Sequence, residues 1–368
     1  MNGKNINGIL IIDKPEGKSS AYIDFICKKI LDVNKVGHIG TLDPFATGVL
    51  AIAINNGTKT IPYIKTERKT YEFEIKFGEK TNTSDKTGDI IETSNKIPTR
   101  CEIENILPNF IGEILQTPSI FSAIKVNGKR AYELARKGET PDIKQRTVTI
   151  FNLELIDEKL QVPEKYDVLS NTPGRNDKGD KLNYFFTKLQ KKVINFCNIL
   201  LRAKNEVSLD NSNEKNWYNS SKFCKNFNNT VNIYKFRAEV SPGTYIRSLT
   251  EDIAKLLGTV GYTLSLKRIR DGKFSINSAI SLDELRKRQD NIESVLIPLE
   301  NVLDDIPVIL VSCQDAENLL FGRCITTDFS GKSGEYLAST KEGFLEIVDF
   351  SNGIISPKKL LRSSLKGE

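Results

Sequence analysis

The sequence predicts a mixed α+β fold with a smaller β-rich domain at its C-terminal end, and three observations carry this prediction. Residues 71–77 and 234–240 alternate apolar and polar side chains, which is the two-residue period of half-buried strands. Residues 246–256 instead repeat apolar side chains at helical spacing. Because strands and helices do not alternate regularly, a mixed, mainly antiparallel sheet is favoured over a doubly wound one.

The N-terminal third predicts four further elements. The apolar run 8–12 ends before a proline and indicates a buried strand. Ser19 and Ser20 are candidate N-caps of a helix, since apolar residues follow at helical spacing. The stretch 37–48 is rich in glycine and threonine and predicts a loop, which leads into the continuous apolar strand 49–54.

The C-terminal half suggests where domains divide. Gly258 is a natural stop for the predicted helix 246–256. Beyond Pro307 the chain carries short strands and many turns, so residues 1–304 and 305–368 are assigned to two domains.

Residues 158–232 interrupt this pattern and are interpreted as an insertion. The stretch 158–235 holds 14 asparagines, and the segment 182–200 within it predicts one amphipathic helix. A solvated segment without function is the simpler interpretation of this insertion.

The composition excludes collagen-like and wholly disordered proteins. The chain has 368 residues, and its 53 basic and 47 acidic residues give a formal net charge of +6. The stretch 158–235 contributes 14 basic and 8 acidic residues, so the remainder is neutral. This excess permits a polyanionic partner without proving one.

Targeting and metal-binding patterns are not evident in the sequence. No apolar stretch approaches the roughly 18–20 residues of a membrane span, and no signal peptide is evident, so a cytoplasmic protein is expected. Six scattered cysteines and a single histidine offer no zinc-ligand cluster. Neither a metal nor another cofactor is expected.

The loop 37–48 holds the first candidate for chemistry. It combines the sole histidine, His38, with one carboxylate, Asp43, directly before a buried strand. A carboxylate at the edge of a core needs a partner. From spacing alone, however, a turn capped by Asp43 is the more common arrangement.

Arg247 is the second candidate. It falls in the first turn of the predicted helix, where the helix dipole disfavours a cation. A nearby carboxylate would offset that cost, whereas an arginine that points into water would lose only a few tenths of a kcal/mol.

The third candidate is the basic segment 119–149. Its basic residues outnumber its acidic residues by seven to three and are Lys125, Lys129, Arg130, Arg136, Lys137, Lys144 and Arg146. Such a segment suits the phosphate backbone of a nucleic acid, and a solvated helix face is an equally good interpretation.

Taken together, these motifs resemble one family, the bacterial-type tRNA pseudouridine-55 synthases. The matching stretches include Gly-Ile-Leu-Ile-Ile-Asp-Lys-Pro at 8–15 and Gly-His-Ile-Gly-Thr-Leu-Asp-Pro-Phe-Ala-Thr-Gly at 37–48. Further matches are Lys-Thr-Tyr at 69–71, Thr-Ser-Asp at 83–85 and Gly-Thr-Tyr-Ile-Arg at 243–247. The resemblance implies a pseudouridine synthase-like catalytic domain and a C-terminal domain similar to the RNA-binding PUA barrel. It therefore favours a catalytic role for Asp43 over a turn cap.

The resemblance also implies roles for individual residues. Asp43 matches the family's nucleophile, Tyr71 a tyrosine that packs against the target base, and Arg247 the arginine that pairs with the nucleophile. The remaining matches are implied substrate contacts: His38, Tyr245, Leu266, Lys14, Lys125, Lys129 and Arg130. The segment 119–149 matches a loop that closes on RNA.

The implied reaction converts a T-loop uridine of tRNA to pseudouridine. The implied partner is the T-arm stem-loop of tRNA, and the enzyme is expected to be a monomer. The stacked base must flip into a pocket before it can react. Two alternatives stay open: a guide-RNA-dependent relative of the dyskerin type, and a non-catalytic RNA-binding or RNA-folding factor. Intact Asp43, Tyr71 and Arg247 argue against binding alone.

Overall fold

The computed structural model describes residues 4–119, 121, 124–126, 128–135, 137–139, 141–156 and 232–363. The predicted insertion and its amphipathic helix at 182–200 lie outside the described residues, apart from Asn232.

Helices and strands are mixed along the described chain. The α-helices are α1 Ser20–Leu31, α2 Arg100–Ile106, α3 Ala131–Ala135, α4 Ile246–Leu256, α5 Leu282–Lys287, α6 Leu299–Val302 and α7 Cys313–Leu320. The first nine strands are β1 Gly8–Lys14, β2 Val36–Ile39, β3 Thr47–Ile54, β4 Lys69–Phe77, β5 Glu79–Thr81, β6 Ile90–Thr93, β7 Gly112–Gln116, β8 Lys125–Val126 and β9 Lys129–Arg130. The remaining strands are β10 Arg146–Leu155, β11 Ile233–Val240, β12 Gly261–Asp271, β13 Phe274–Ser275, β14 Val308–Leu310, β15 Ile325–Thr326, β16 Gly334–Ser339, β17 Leu345–Ser351 and β18 Ile354–Arg362.

A nine-stranded sheet forms the larger part of the described structure. Its path runs β1-β3-β12-β4-β11-β10-β7, with β2 paired to β3 and β13 paired to β12. Within this sheet only β3 and β12 run parallel, and the other described pairs are antiparallel. The predicted mixed, mainly antiparallel sheet is therefore confirmed.

Local sequence explains the elements that border the site. In β4 the apolar positions from Tyr71 to Phe77 are buried while the intervening polar ones are less so, as the alternation predicts. Helix α1 begins after Ser19, whose side chain accepts a hydrogen bond from Tyr22 N. Helix α4 starts at Ile246, so Arg247 does lie in its first turn.

The stretch 37–48 is not wholly a loop, contrary to the sequence prediction. His38 lies in β2, which pairs antiparallel with β3 and places His38 opposite Ile52. The irregular part is 40–46, the segment that carries Asp43. A four-residue strand that contains Gly37 has too few alternating side chains to give a strand signal.

Apolar residues fill both faces of the sheet. One face packs against α1 and α4 through side chains such as Ile23, Leu50, Phe73 and Leu249. Side chains on the other face of β1 and β3 join Leu299 and residues of the C-terminal sheet in a second core. This second core attaches the C-terminal strands to the larger sheet.

The C-terminal strands form a separate five-stranded sheet in the order β14-β16-β17-β18-β15. This agrees with the prediction of a small β-rich C-terminal domain, and α7 packs on it through Ala316 and Leu319. The exact division at residue 304 stays a prediction. Within the described part of the chain, no helix is long and apolar enough to cross a membrane.

Candidate active site

A cavity of about 330 Å³ lies where the 40–46 loop, β4, β12 and the start of α4 meet. Its lining residues are Thr41, Leu42, Asp43, Lys69, Tyr71, Ile124, Gly243, Thr244, Tyr245, Ile246, Arg247 and Leu266. Five residues that the sequence predicts for the site thus line one cavity, namely Asp43, Tyr71, Tyr245, Arg247 and Leu266.

The loop that presents Asp43 is held from below by two buried side chains. Ser20 Oγ lies 2.9 Å from Leu42 N and 3.1 Å from Leu42 O, so it accepts from one and donates to the other. Lys14 Nζ donates to the carbonyl oxygens of Pro15, Lys18 and Pro44 at 2.9, 2.6 and 3.2 Å. These bonds leave the backbone around Asp43 little freedom.

Lys14 is fully buried, although the sequence predicts it as a substrate contact. Burial lowers the pKa of Lys14 to about 8, while the carboxylates of Asp43 and Glu16 oppose that shift. With three carbonyl acceptors around its ammonium group, Lys14 is placed to support the loop. Its predicted contact with substrate stays a prediction.

Arg247 joins two carboxylates. Its Nη2 lies 2.9 Å from Asp43 Oδ2, and its Nη1 lies 3.3 Å from Asp85 Oδ2. The side chains of Arg247 and Asp85 are 4% and 5% exposed, so the ion pair between them is screened little by water, whereas the Asp43 side chain is 36% exposed. Of the two alternatives for Arg247, a carboxylate partner is therefore present and an exposed side chain is not.

Asp85 is a member of the site to which the sequence analysis assigns no role. It accepts hydrogen bonds from the Thr83 hydroxyl and from Thr87 N, each at 2.9 Å, and its side chain is 5% exposed. The signal was the Thr-Ser-Asp stretch at 83–85, which is one of the motifs behind the resemblance. Asp85 fixes the side of Arg247 that faces away from Asp43.

The pKa of Asp43 is raised above its ordinary value. Burial in the cavity is the main cause, and Arg247 opposes it by favouring the ionised carboxylate. The negative charge of Asp85 adds to the upward shift, and Lys14 counteracts it. The protonation state of Asp43 therefore depends on Arg247 and on Asp85, which contacts the same guanidinium.

Tyr71 and Tyr245 contribute aromatic walls to the cavity. Tyr71 is 8% exposed, and burial raises the pKa of its phenol while the nearby Arg268 opposes that shift. Tyr245 is held by its backbone, because Gln116 Oε1 accepts from Tyr245 N at 2.7 Å and Gln116 Nε2 donates to Tyr245 O at 3.1 Å. Leu266 adds an apolar wall.

A second buried charge cluster lies beneath the loop, and the sequence did not predict it. Arg268 is fully buried, contacts Asp271 Oδ2 at 3.1 Å, and donates to Val49 O at 2.8 Å and Gly40 O at 3.1 Å. Lys69, which lines the cavity, lies 3.1 Å from Asp271 Oδ1. The cluster ties β4 and β12 to the loop that carries Asp43.

His38 lies near the cavity without lining it. Its Nδ1 lies 2.6 Å from Asp24 Oδ2 in α1, and its Nε2 lies 3.4 Å from the hydroxyl of Thr41, which does line the cavity. The structure thus connects His38 to the rim.

The basic residues Lys125, Lys129 and Arg130 form a small exposed hairpin, in which Lys125 pairs with Arg130. They lie outside the cavity lining. Their segment nevertheless reaches the site, because Arg247 Nη2 donates to Phe121 O at 3.2 Å and Ile124 lines the cavity.

The described residues contain no group of three or more His, Cys, Asp or Glu side chains that could hold a metal ion.

Comparison with known proteins identifies relatives of this chain. A family model described as TruB family pseudouridylate synthase (N terminal domain) matches residues 28–169. The chain is 34% identical over 327 residues to a tRNA pseudouridine synthase B of Gluconacetobacter diazotrophicus, which covers 88% of this chain and 84% of the relative. A tRNA pseudouridine synthase B of Aquifex aeolicus is 32% identical over 356 residues and covers 97% of this chain and 100% of the relative.

Among solved structures, a Cbf5-Nop10-Gar1 complex matches with a TM-score of 0.56 at 19% identity and covers 96% of this chain and 85% of the matched chain. An H/ACA RNP bound to a substrate RNA containing 2′-deoxyuridine matches with the same TM-score at 17% identity and the same coverage. At these identities the likeness establishes the fold alone, which confirms the predicted fold class.

Proposed function

This chain belongs to the TruB family of pseudouridylate synthases, and from that premise we propose that it converts uridine 55 in the T-loop of tRNA to pseudouridine. The observation that carries the proposal is the placement of Asp43 in the cavity, 2.9 Å from the buried guanidinium of Arg247. Tyr71, Tyr245 and Leu266 surround the space where a flipped base would lie.

The reaction exchanges one bond between sugar and base for another. The N1–C1′ bond breaks, the uracil ring turns, C5 bonds to C1′, and the proton on C5 leaves while N1 gains one. Asp43 is the nucleophile, because a carboxylate can form a covalent bond and leave again, and so hold one fragment while the other rotates. It has two possible points of attack, the sugar C1′ and the base C6.

Arg247 keeps Asp43 reactive in an environment that would otherwise neutralise it. Burial favours the protonated carboxylic acid, which is a poor nucleophile, and the guanidinium at 2.9 Å favours the carboxylate. Asp85 holds the same guanidinium from its other side and so fixes its direction. Both contacts are in place before substrate binds, as electrostatic preorganisation requires.

The aromatic walls compensate for the stacking that the target base loses when it flips. Stacking on an aromatic side chain stabilises a base by roughly 1–3 kcal/mol, and Tyr71 and Tyr245 offer two such faces. Because burial raises the pKa of Tyr71, its phenol stays protonated and neutral near pH 7, which suits packing against uracil. The same phenol can take part in moving the C5 proton.

Outside the cavity, the T-arm would be bound by positively charged side chains on the protein surface. Lys125, Lys129 and Arg130 project from an exposed hairpin that connects to the site through Phe121 and would contact phosphates. His38, tied to Asp24, would support the flipped conformation from the rim through Thr41.

The C-terminal sheet, which resembles a PUA domain, would extend the RNA contact along the stem. The protein would act as a monomer.

The test is pseudouridine mapping on T-arm stem-loops and full tRNA transcripts incubated with purified protein. We expect modification at position 55 by wild type and none by Asp43→Asn, with RNA affinity within about threefold of wild type because the amide keeps the shape of the side chain. Asp283→Asn, a surface change whose side chain is 85% exposed, serves as the matched control and should keep full activity.

Two results would sink the proposal. Turnover by Asp43→Asn at more than about 1% of the wild-type rate would remove the nucleophile assignment. Activity that appears only after a guide ribonucleoprotein is added would replace direct tRNA recognition with the guide-dependent alternative.

A further inference from the structure

We propose that Arg146 is a prebuilt binding site for a phosphodiester of the substrate RNA, namely one of the two phosphates that flank the flipped uridine. This inference rests on the proposed function, because it takes an RNA nucleotide as the occupant of the cavity. The resemblance links the segment 119–149 to RNA as a whole, and this inference assigns one residue of it to one phosphate.

Position is the first argument. The guanidinium carbon of Arg146 lies over the ring of Tyr245, 5.2 Å from its centroid. A Cβ built on Gly243 would lie 3.2 Å from Arg146 Nη1. Gly243 and Tyr245 both line the cavity, so Arg146, which is not itself a lining residue, lies beside the cavity wall at the start of α4.

The second argument is that Arg146 lacks a carboxylate partner. Lys69 and Arg247, the cations that line the cavity, contact Asp271 and the Asp43–Asp85 pair respectively. In the described part of the chain, no carboxylate lies within 4.0 Å of Arg146, and its guanidinium lies over the ring of Tyr245. Its five N–H donors are therefore available to an outside acceptor.

The third argument is rigidity. Arg146 is the first residue of β10 and pairs in register with Gln116 of β7. Gln116, which is fully buried, holds the backbone of Tyr245 through two hydrogen bonds. Strand pairing thus fixes the backbone of Arg146, and the contact with the ring of Tyr245 restricts its guanidinium, so less side-chain entropy is lost when it binds a ligand.

Chemistry selects the ligand. A planar guanidinium with free donors matches the two non-bridging oxygens of a phosphodiester. When a base enters the cavity, its charged phosphates stay at the rim, because burying an unpaired charge is costly. The rim is where Arg146 lies, and a phosphate held there would fix the sugar whose C1′ must reach Asp43.

The test is an affinity cycle with T-arm stem-loops whose target nucleotide is already pseudouridine, so that no turnover occurs. Each stem-loop carries one neutral methylphosphonate in place of the phosphate on the 5′ or the 3′ side of that nucleotide. Fluorescence anisotropy gives the affinity of wild type, Arg146→Gln and Arg146→Lys. Lys144→Gln is the matched control, because it removes the same charge from an exposed position two residues away.

We expect one neutral linkage to weaken wild-type and Lys144→Gln binding about ten- to a hundredfold, the range for a hydrogen-bonded charge pair. On RNA with normal phosphates, Arg146→Gln should bind more weakly than wild type by a similar factor. The neutral linkage should weaken the binding of Arg146→Gln by less than about a further twofold. The affinity of Arg146→Lys should lie between those of wild type and Arg146→Gln, because lysine keeps the positive charge and lacks the planar pair of N–H donors. Thermal midpoints by circular dichroism confirm that each variant is folded.

Two results would overturn the phosphate site. One is an equal loss of affinity from the neutral linkage in wild type and in both Arg146 variants. The other is no loss of affinity in wild type with the neutral linkage on either side. Failure of the proposed function has a different signature. In that case wild type would bind the T-arm stem-loop no better than an unrelated hairpin and would release no tritium from RNA labelled at C5 of uridine.

Discussion

Replacing Gly48 by alanine should damage the sheet at the point where the site is assembled. Gly48 has a φ of 98° and lies in the parallel pairing of β3 with β12, opposite Arg268. A Cβ at this position would lie 2.2 Å from Arg268 O and 2.9 Å from Arg268 N. Both atoms belong to the backbone of a central strand, so neither can rotate away as a side chain could.

The size of the effect follows from two contributions. A positive φ costs an alanine about 1–2 kcal/mol, and forcing extra volume into a packed interior costs about 1–3 kcal/mol more. The free energy of unfolding should therefore fall by about 2–5 kcal/mol, out of a total of roughly 5–15 kcal/mol. The remaining folded protein should also lose kcat, because Arg268 donates to Gly40 O and its displacement moves the loop that carries Asp43.

Urea titration followed by far-UV circular dichroism measures the first effect, and tritium release from C5-labelled uridine in a T-arm stem-loop measures the second. Gly17→Ala is the matched control. Its φ is 79°, but no atom lies within 4 Å of the added Cβ, so it should lose only the backbone contribution of about 1–2 kcal/mol. Equal losses in the two variants would refute the argument from close approach.

Two further predictions concern the site and the exposed hairpin. Asp85→Asn should lower the pKa of Asp43, because it removes a negative charge that raises this pKa and a competitor for Arg247. The proposed attack needs an ionised Asp43, so the acid limb of a plot of kcat/KM against pH should move to lower pH. A limb that stays in place or moves to higher pH would contradict this. The double change Lys129→Ala and Arg130→Ala should weaken tRNA binding and leave kcat unchanged. The slope of log K against log salt should become shallower by about 1–2, because two cations no longer contact phosphates. An unchanged slope would show that the hairpin does not contact phosphates.

The sequence predicted well those elements whose side chains alternate between core and solvent. Strands β4 and β11 and helices α1 and α4 each bury one face, and this contrast is visible in the order of residues. Strand β12 was not predicted, although it lies between β3 and β4 and carries Leu266. Its pattern is irregular, because the register shifts at two places and buried Thr263 and Arg268 stand among its apolar residues.

The ion pair of the site could be anticipated, and its supports could not. The position of Arg247 in the first turn of a helix left open a carboxylate partner or an exposed side chain, the family resemblance implied the partner, and the structure provides two. Lys14, Arg268 and Asp271 are almost completely buried, whereas their residue types predict exposure. Buried charges are fixed by partners distant in the chain, so the local sequence contains little trace of them.

The parallel contact between β3 and β12 also sets an order of events during synthesis of the protein. Thr47 and Leu266, which meet there, are 219 residues apart in the chain. At about 5–20 residues per second, a ribosome needs roughly 10–45 s to pass from one to the other. During most of that interval the nascent chain already contains Asp43 but lacks Arg247, and until its end it lacks Leu266 and the rest of the strand that closes the cavity. The cavity is therefore completed only when residues on both sides of the 158–232 stretch have emerged and β3 has paired with β12.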